Sequence, residues 1–448
     1  MRSNGRSLIT LAIAAALLLV AADRAAAQDA QQSAGLATLI QDIFGPAGLK
    51  VHSDALLPDG STHSAHFNSD FQSNFRQFDI ALASQLTSLP LPSPASGFTY
   101  MFDEATGTFA RSTQSFGPLL ADRAETIGLR KMLVGWDYQY FSFDALEGVN
   151  LRRIPAVFTH DDYQLGGGLA DIVSTSNAIK ASVTQFTGLI TYGAGSRTDI
   201  AVAIPLVRTS LAVISDAEIE HFGTSADSGA HYFPDPTSPH GYGTREQFSA
   251  KGSAAGVGDV VMRVKETFLR SAHRGFAAAL EVRAPSGNEE DLLGSGAWGV
   301  KPIAIASFTA GRLSPHVNLG YQWNGRSVLA GDPKTGRTSD LPDRVTFASG
   351  ADVGVNDRLT VAFDMLADRV IDSPRLTAET FHASGPLGSG DFGNIAFVNG
   401  SYFVSSGALG LKLNVAPGML VNFNLRFSAS HHGLTDKLTP LLGVEYGF

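Results

Sequence analysis

The chain has 448 residues, of which 17 % are charged, a formal net charge of -9 at pH 7 and no cysteine. The absence of cysteine excludes a disulfide scaffold and a thiolate metal site. The negative net charge, without any basic run, argues against nucleic acid as a partner. The length is enough for more than one compact domain or for one large barrel.

The first residues, 1–27, have the pattern of a secretory signal peptide. Arg2 and Arg6 form a short basic start, an apolar run covers 8–22, and Ala25-Ala26-Ala27 offers a small-residue cleavage site before Gln28. A membrane anchor is the alternative, but the apolar run is shorter than the roughly 20 residues that a spanning helix needs. We therefore expect cleavage and export.

Residues 28–97 do not alternate as strands do. An apolar stripe with a spacing of three or four residues predicts an amphipathic helix, which Pro90, Pro92 and Pro94 would end. The stripe consists of Phe67, Phe71, Phe75, Phe78, Leu82 and Leu86. Two interpretations are open: a plug that folds into the interior of the following β domain, or a periplasmic segment that packs against its mouth.

From residue 98 onward, period-two alternation predicts about twelve strands. They lie near 126–144, 172–194, 199–221, 256–270, 274–285, 296–310, 313–324, 344–355, 358–371, 401–415, 418–429 and 438–448. Tight turns alternate with long polar or glycine-rich connections, which are 145–171, 222–255, 286–295, 325–343, 372–400 and 430–437. A hairpin of 98–103 and 108–111 would raise the number of strands to fourteen.

This alternation of short turns and long loops is typical of outer-membrane β-barrels, whose short turns are periplasmic. A soluble sandwich also buries one strand face, but its strands are usually shorter, about 5–6 residues. We therefore predict an all-β protein, an antiparallel transmembrane β-barrel over 98–448. The partly helical segment 28–97 would precede it as a plug or periplasmic extension.

The chain ends on a strand in which Leu442, Val444, Tyr446 and Phe448 share one face. A final strand that ends on an aromatic residue resembles the last strand of bacterial outer-membrane barrels. The resemblance implies that the barrel-assembly machinery reads this strand, and that outer-membrane lipid and lipopolysaccharide are partners of the folded protein.

In each predicted strand polar residues oppose apolar ones, and in a membrane barrel the polar face lines the lumen. The lumen-facing candidates are Asp137, Gln139, Asp259, Arg263, Lys265, Glu281, Arg283, Asn318, Gln322, Asp364, Lys412, Asn422, Asn424, Arg426 and Glu445. Opposite charges on the strands of Arg263 and Glu281 are expected to pair across the lumen wall. Such pairs form either a structural ion-pair network or a constriction that orients a solute.

Aromatic residues on the apolar faces predict the girdles that mark the two membrane interfaces. They are Trp136, Tyr138, Tyr140, Tyr321 and Trp323. Ordinary lipid-facing or core packing is the alternative interpretation.

Three segments carry a family resemblance: Gly256–Lys265, Arg283–Gly296 and His316–Tyr321. They resemble the outer-membrane family described as "putative MetA-pathway of phenol degradation", which is distantly similar to fatty-acid and toluene channels. Members usually have Pro-Thr-Gly-Asp where this chain has Pro-Ser-Gly-Asn at 285–288. The resemblance implies a transport barrel, and glycines 256, 258 and 287 are expected at bulges or tight bends.

Three functions are open at this point. The predicted one is a passive outer-membrane channel for a small-molecule solute, hydrophobic or aromatic in character. The alternatives are a structural or adhesive barrel that acts through its long loops, and an outer-membrane hydrolase using His160 or His431. Because the sequence has no His-Glu-x-x-His, Gly-x-Ser-x-Gly or Walker pattern, we predict no enzyme activity, no cofactor and no metal.

Overall fold

The computed structural model describes residues 35–45, 48–54, 67–68, 80–81, 97, 100–103, 108–111, 115–160, 171–225, 229–271 and 273–448. The predicted signal peptide and most of the predicted aromatic stripe lie outside this set. Phe67 is described, and with Asn68 it forms a short strand paired with Thr159 and His160. The prediction of a helix is therefore wrong at Phe67, whereas Ile80 and Ala81 within the predicted range are helical. Within the described ranges, no helix is long and apolar enough to cross a membrane, and Leu36–Thr38 forms a short 3-10 helix.

Twelve antiparallel strands form one closed barrel. They are β1 (Met132–Phe143), β2 (Ile172–Gly193), β3 (Thr198–Glu220), β4 (Val260–Arg270), β5 (Arg274–Ala284), β6 (Gly299–Phe308), β7 (Leu313–Asn324), β8 (Arg344–Asn356), β9 (Leu359–Gly385), β10 (Gly388–Ala416), β11 (Met419–Ser428) and β12 (Leu438–Gly447). Each strand pairs with the next in sequence, and β12 closes the ring against β1, from Leu441 opposite Gln139 to Gly447 opposite Leu133. The predicted barrel is confirmed.

The hairpin considered for a fourteen-strand barrel also forms. Its strands, Tyr100–Asp103 and Thr108–Arg111, pair with each other in a separate two-stranded sheet. The barrel therefore has twelve strands, because this hairpin does not enter its ring.

The two ends of the barrel differ. The turn end carries the short connections. The start of β1 and the end of β12 also meet there, where the Met132 N–H donates to the Phe448 carbonyl at 2.9 Å. The loop end carries the long connections. Two further strands extend the wall at this end. Ile154–His160 pairs with the loop-end part of β2, and Arg245–Val257 pairs with the loop-end part of β3.

The prediction of a loop over 372–400 is wrong. Here β9 and β10 run for 27 and 29 residues and form one hairpin that rises beyond the barrel. Its inner face carries buried Leu376 and Ile395, while polar residues occupy much of both faces. The period-two alternation is therefore weak in the sequence, and backbone pairing between the two strands supplies the order.

Outward-facing side chains of the barrel are apolar and exposed. On β10, Leu409, Leu411 and Leu413 are exposed, whereas Gly410 and Lys412 between them are buried. Exposed aromatic residues lie near both ends, with Tyr140, Trp298 and Trp323 toward the loop end and Tyr192, Tyr446 and Phe448 toward the turn end. Such a surface suits lipid hydrocarbon bounded by two aromatic girdles.

Among the predicted girdle residues, Tyr138, Tyr140 and Trp323 are exposed. The Tyr321 ring packs against that of Trp323 with centroids 4.7 Å apart. Trp136 is half-buried.

A hydrophobic cluster, the loop-end core, closes the barrel at the loop end. Residues 36–51 contribute several of its members, including Phe44, whose ring lies 5.2 Å from that of Phe158 and 5.0 Å from that of Phe248. The Ala37 N–H donates to the Glu290 carbonyl at 2.9 Å. This part of the predicted plug segment therefore packs beneath the loops, at the end opposite the short turns.

A buried carboxylate fixes one loop of this end. Asp171 is fully buried and accepts the N–H groups of Phe222, Gly223 and Thr224 at 2.7–3.0 Å, and His231 Nδ1 lies 2.7 Å from it. Burial alone would raise the pKa of Asp171. Hydrogen bonds, first from His221 and His231, outweigh that effect and hold the pKa well below its ordinary value.

The apolar exterior predicts a marked effect of one added charge. Leu411→Arg places a cation on the outward face in the middle of the wall and should cost about 2–4 kcal/mol of unfolding free energy in phospholipid vesicles. Leu387→Arg, at the exposed tip of the β9–β10 hairpin, is the matched control and should cost little. Denaturant titration in vesicles measures both values, and equal effects would contradict a lipid-facing wall.

The Asp171 cluster predicts a loop that acid loosens. Because the folded pKa is depressed, the contribution of Asp171 to stability is complete above the ordinary aspartate value of about 3.9 and is lost as pH falls below it. Hydrogen exchange of the 222–224 amides should therefore be slow at pH 5 and accelerate below about pH 4 in excess of the intrinsic rate. Asp171→Asn should show fast exchange at both pH values. Slow exchange in that variant would contradict the claim that the Asp171 carboxylate protects these amides.

Candidate functional site

A length of chain without regular structure, 115–127, lies inside the barrel toward the turn end and then leads into β1. We call it the lumen segment. Phe116, Ala124 and Thr126 in it are fully buried. The sequence placed the candidate plug within 28–97 and began the first strand near 126, so this segment was not predicted.

Asp364 on β9 is the central attachment of the lumen segment. Its Oδ2 accepts the backbone N–H groups of Leu119, Leu120 and Ala121 at 3.0, 2.7 and 3.0 Å. Its Oδ1 lies 2.8 Å from Nε2 of His316 on β7, whose Nδ1 is 3.5 Å from Asp352. One carboxylate thus holds three consecutive N–H groups, and a histidine fixes its other oxygen.

Other wall side chains receive further N–H groups of the lumen segment. Thr360 Oγ1 accepts from Phe116 at 2.9 Å, Ser307 Oγ from Ala124 at 2.9 Å, and Asp199 from Ile127 at 3.1 Å. Asn318 bonds Asp122 twice, accepting its N–H at 2.7 Å and donating to its carbonyl at 2.8 Å. The acceptors come from β3, β6, β7 and β9, so the segment is bound across the width of the barrel.

Donors on β4 hold the carbonyl groups and the carboxylate of the segment. Lys265 Nζ donates to the Glu125 carbonyl at 2.6 Å and to the Arg123 carbonyl at 3.2 Å. Thr267 donates to the Ala124 carbonyl at 2.5 Å, and Arg263 forms an ion pair with the Asp122 carboxylate.

The Arg123 side chain joins the lumen segment to Gly97, which precedes the segment in the chain. Its Nη2 donates to the carbonyl of Gly97 at 2.5 Å, and the Gly97 N–H donates to the Phe116 carbonyl at 2.9 Å. Gly117 has φ +81°, and a Cβ there would lie 2.9 Å from Arg123 Cζ. The positive φ favours glycine at 117, and a larger residue there would also displace the Arg123 guanidinium group.

A cavity of about 190 Å³ lies between the lumen segment and the connection 285–298. The lining includes charged groups of both signs, namely Asp122, Asp259, Arg263, Glu281, Arg283, Lys301, Asp368 and Arg426. Apolar lining comes from Leu120, Val207, Val261, Leu293, Ile303, Leu366 and Val404. The cavity therefore offers charge and apolar surface together.

Opposite charges on neighbouring strands pair in the cavity wall, as expected. Arg263 lies 3.9 Å from Glu281, which also contacts Lys301 at 2.6 Å. Arg283 lies 3.5 Å from Asp259. These contacts form a structural ion-pair network at the surface of the cavity, and a constriction that orients a solute stays a prediction.

The family motif builds the loop-end boundary of the cavity. Asp259 accepts the N–H and the hydroxyl of Ser295 at 2.8 and 2.6 Å, and the N–H of Gly287 at 3.2 Å. A Cβ on Gly258 would lie 2.7 Å from Val207 Cγ2, and one on Gly287 would lie 2.7 Å from Gly294 Cα. These glycines permit the connection to fold inward, where Leu292 and Leu293 are buried.

The predicted lumen-facing residues fall into three groups in the structure. Those that line the cavity are Asp259, Arg263, Glu281, Arg283, Asn318, Gln322 and Arg426. Lys265 and Asp364 hold the lumen segment. The others are buried on the inner face without lining the cavity, and they are Asp137, Gln139, Lys412, Asn422, Asn424 and Glu445.

Several site residues escaped the sequence analysis. Asp122 lay outside the predicted strands, and Asp352 was not among the predicted lumen-facing residues. Lys301 lies in a strand whose inward positions also include Ile303 and Ile305. The rule that apolar residues face outward fails there, because Ile305 packs against Ala124 of the lumen segment.

The histidines considered for hydrolysis do not line the cavity. His431 and His160 lie at the loop end, and His432 lies 3.2 Å from Glu147 in a contact shared with Arg375. Within the described ranges, no group of three or more His, Asp or Glu side chains could hold a metal ion.

Residues 158–362 match the model of the family described as "Putative MetA-pathway of phenol degradation". The resemblance drawn from the motifs is therefore confirmed over that part of the chain. No curated protein matches the sequence.

Similar solved structures include an outer-membrane channel from Pseudomonas putida F1, with 13 % identity, 72 % of this chain and 98 % of that chain covered, and a TM-score of 0.40. A Pseudomonas aeruginosa FadL homologue has 11 % identity, 79 % and 94 % coverage, and a TM-score of 0.29. The translocator domain of the autotransporter NalP from Neisseria meningitidis has 10 % identity, 71 % and 88 % coverage, and a TM-score of 0.32.

The attachment to Asp364 predicts that its neutral analogue loosens the lumen segment. Asp364→Asn keeps the side-chain shape but removes the charge that strengthens three hydrogen bonds, so local opening should become about tenfold more frequent. Trypsin cleavage after Arg123 in the detergent-purified protein measures that opening. Asp357→Asn, in an exposed turn, is the control, and equal cleavage rates in the two variants would refute the assignment.

Proposed function

We propose that the protein is a passive channel of the bacterial outer membrane and that the lumen segment closes it. The observation that carries this proposal is a polar cavity inside a closed barrel whose exterior is apolar. The export expected from the predicted signal peptide agrees with this location.

The lumen segment supports a reversible closure. Its described hydrogen bonds to the barrel wall run to side chains, because the backbone groups of the strands are used in the barrel itself. Side-chain bonds of this kind contribute only about 0.5–1.5 kcal/mol each when neutral and somewhat more when charged. Displacement of the segment therefore needs no change in strand pairing.

The size and lining of the cavity favour a small organic solute. A cavity of about 150 Å³ accommodates benzene in an apolar protein core, so about 190 Å³ suits a molecule built on one aromatic ring. The family description names phenol degradation, which agrees with an aromatic solute. The charged lining favours a compound that carries a polar group over a pure hydrocarbon.

Passage of solute through reconstituted protein tests the proposal. Liposomes containing the wild-type chain should swell in small polar aromatic solutes faster than empty liposomes. Asp364→Asn should swell several-fold faster still, because the closure is weakened, while Asp357→Asn should match the wild type. Swelling no faster than that of empty liposomes for all three proteins would overturn the channel.

A further inference from the structure

The charges around the cavity do not all have partners of opposite sign. Among the described residues, each lining carboxylate lies within 4 Å of a basic group: Asp122 with Arg263, Asp259 with Arg283, Glu281 with Lys301, and Asp368 with Arg344 at 3.4 Å. Arg426 lines the same cavity and has no such carboxylate among the described side chains. It is the cation left over when the acids have been assigned.

One hydrogen bond positions the Arg426 side chain and leaves part of its guanidinium group available to a ligand. The side chain lies on the inner face of β11, where its Nε donates to Ser406 Oγ of β10 at 3.0 Å. That bond fixes the plane of the guanidinium group and leaves its two terminal nitrogens for other acceptors. A planar fork held in this way matches the two oxygens of a carboxylate.

The wall beside Arg426 is apolar. Val404 lines the cavity on β10, the strand next to β11, and Leu366 and Ala348 line it on β9 and β8, the next two strands of the ring. A cation beside aliphatic surface suits a molecule with an anionic head and an apolar body. The pocket is small, so the body is limited to about one ring.

We propose that Arg426 binds the carboxylate of a small organic monoacid inside the barrel, an inference that rests on the proposed channel function and narrows its solute class. A neutral phenol would leave the guanidinium without an anion in contact, since Asp368 and Asp436 act on it only from beyond ion-pair distance. A dianion such as phosphate would place its second charge among four carboxylates, namely Asp122, Asp259, Glu281 and Asp368. An aromatic or aliphatic monocarboxylate satisfies both the cation and the apolar wall.

Benzoate and benzamide are matched probes, because they share size and ring and differ in charge. Binding to the detergent-purified full chain is measured by saturation-transfer NMR, in the wild-type background and with Asp364→Asn to open the lumen segment. Benzoate should bind more tightly than benzamide. Arg426→Gln should weaken benzoate binding about tenfold, the expected loss for a charge-assisted contact, and leave benzamide nearly unchanged.

Arg358→Gln is the control, since it removes the same charge from an exposed turn, and it should leave both affinities unchanged. Arg426→Lys should keep the charge but lose the fork, with an intermediate affinity for benzoate. The inference is overturned if Arg426→Gln affects the two probes equally, or if benzoate binds no better than benzamide in either background. Liposome swelling in benzamide then separates this failure from failure of the channel, because swelling by the neutral probe does not depend on Arg426.

Discussion

The structure depends on how a stretch of irregular backbone is satisfied inside a barrel. The backbone groups of the wall are paired between strands, so they are not available to a segment that enters the lumen. Buried N–H groups without partners are costly. The wall meets this constraint with side chains, and above all with Asp364, whose one oxygen accepts three consecutive N–H groups.

The two ends of the barrel are closed by different interactions. At the loop end, residues 36–51, the inward connection 285–298 and the long β9–β10 hairpin share a hydrophobic core with many members. At the turn end, the lumen segment is held mainly by hydrogen bonds and ion pairs. The loop-end core is stabilised by many apolar contacts, so no single residue dominates it. The lumen segment, in contrast, depends on a few charged groups. We therefore expect the turn end to respond more strongly to single substitutions.

The wall was predictable because its rule is local. Alternation along each strand gave the twelve strands, the closing strand and the inward position of residues such as Arg263 and Arg283. The rule failed where chain occupies the lumen, since Ile303 and Ile305 point inward although they are apolar. It also failed over 372–400, where both faces of the hairpin meet water or other loops.

The lumen segment itself was beyond such a rule. Many of its contacts join residues more than 140 positions apart, as between Leu120 and Asp364, and its own sequence has no period that marks it as interior. Some of the charged residues around the cavity could be predicted from the sequence and others could not. Arg263 and Glu281 were expected to pair, but Asp122 required the path of the segment to be known.

The most direct measurement of the central claim uses the absence of cysteine from the natural chain. A single cysteine at Ala121, whose N–H bonds Asp364 and whose side chain is buried, is offered a water-soluble maleimide in reconstituted vesicles. A cysteine at exposed Ser271 is the reference. We predict that maleimide labels the cysteine at position 121 far more slowly than the cysteine at position 271. Equal labelling rates would contradict a lumen segment held inside the barrel.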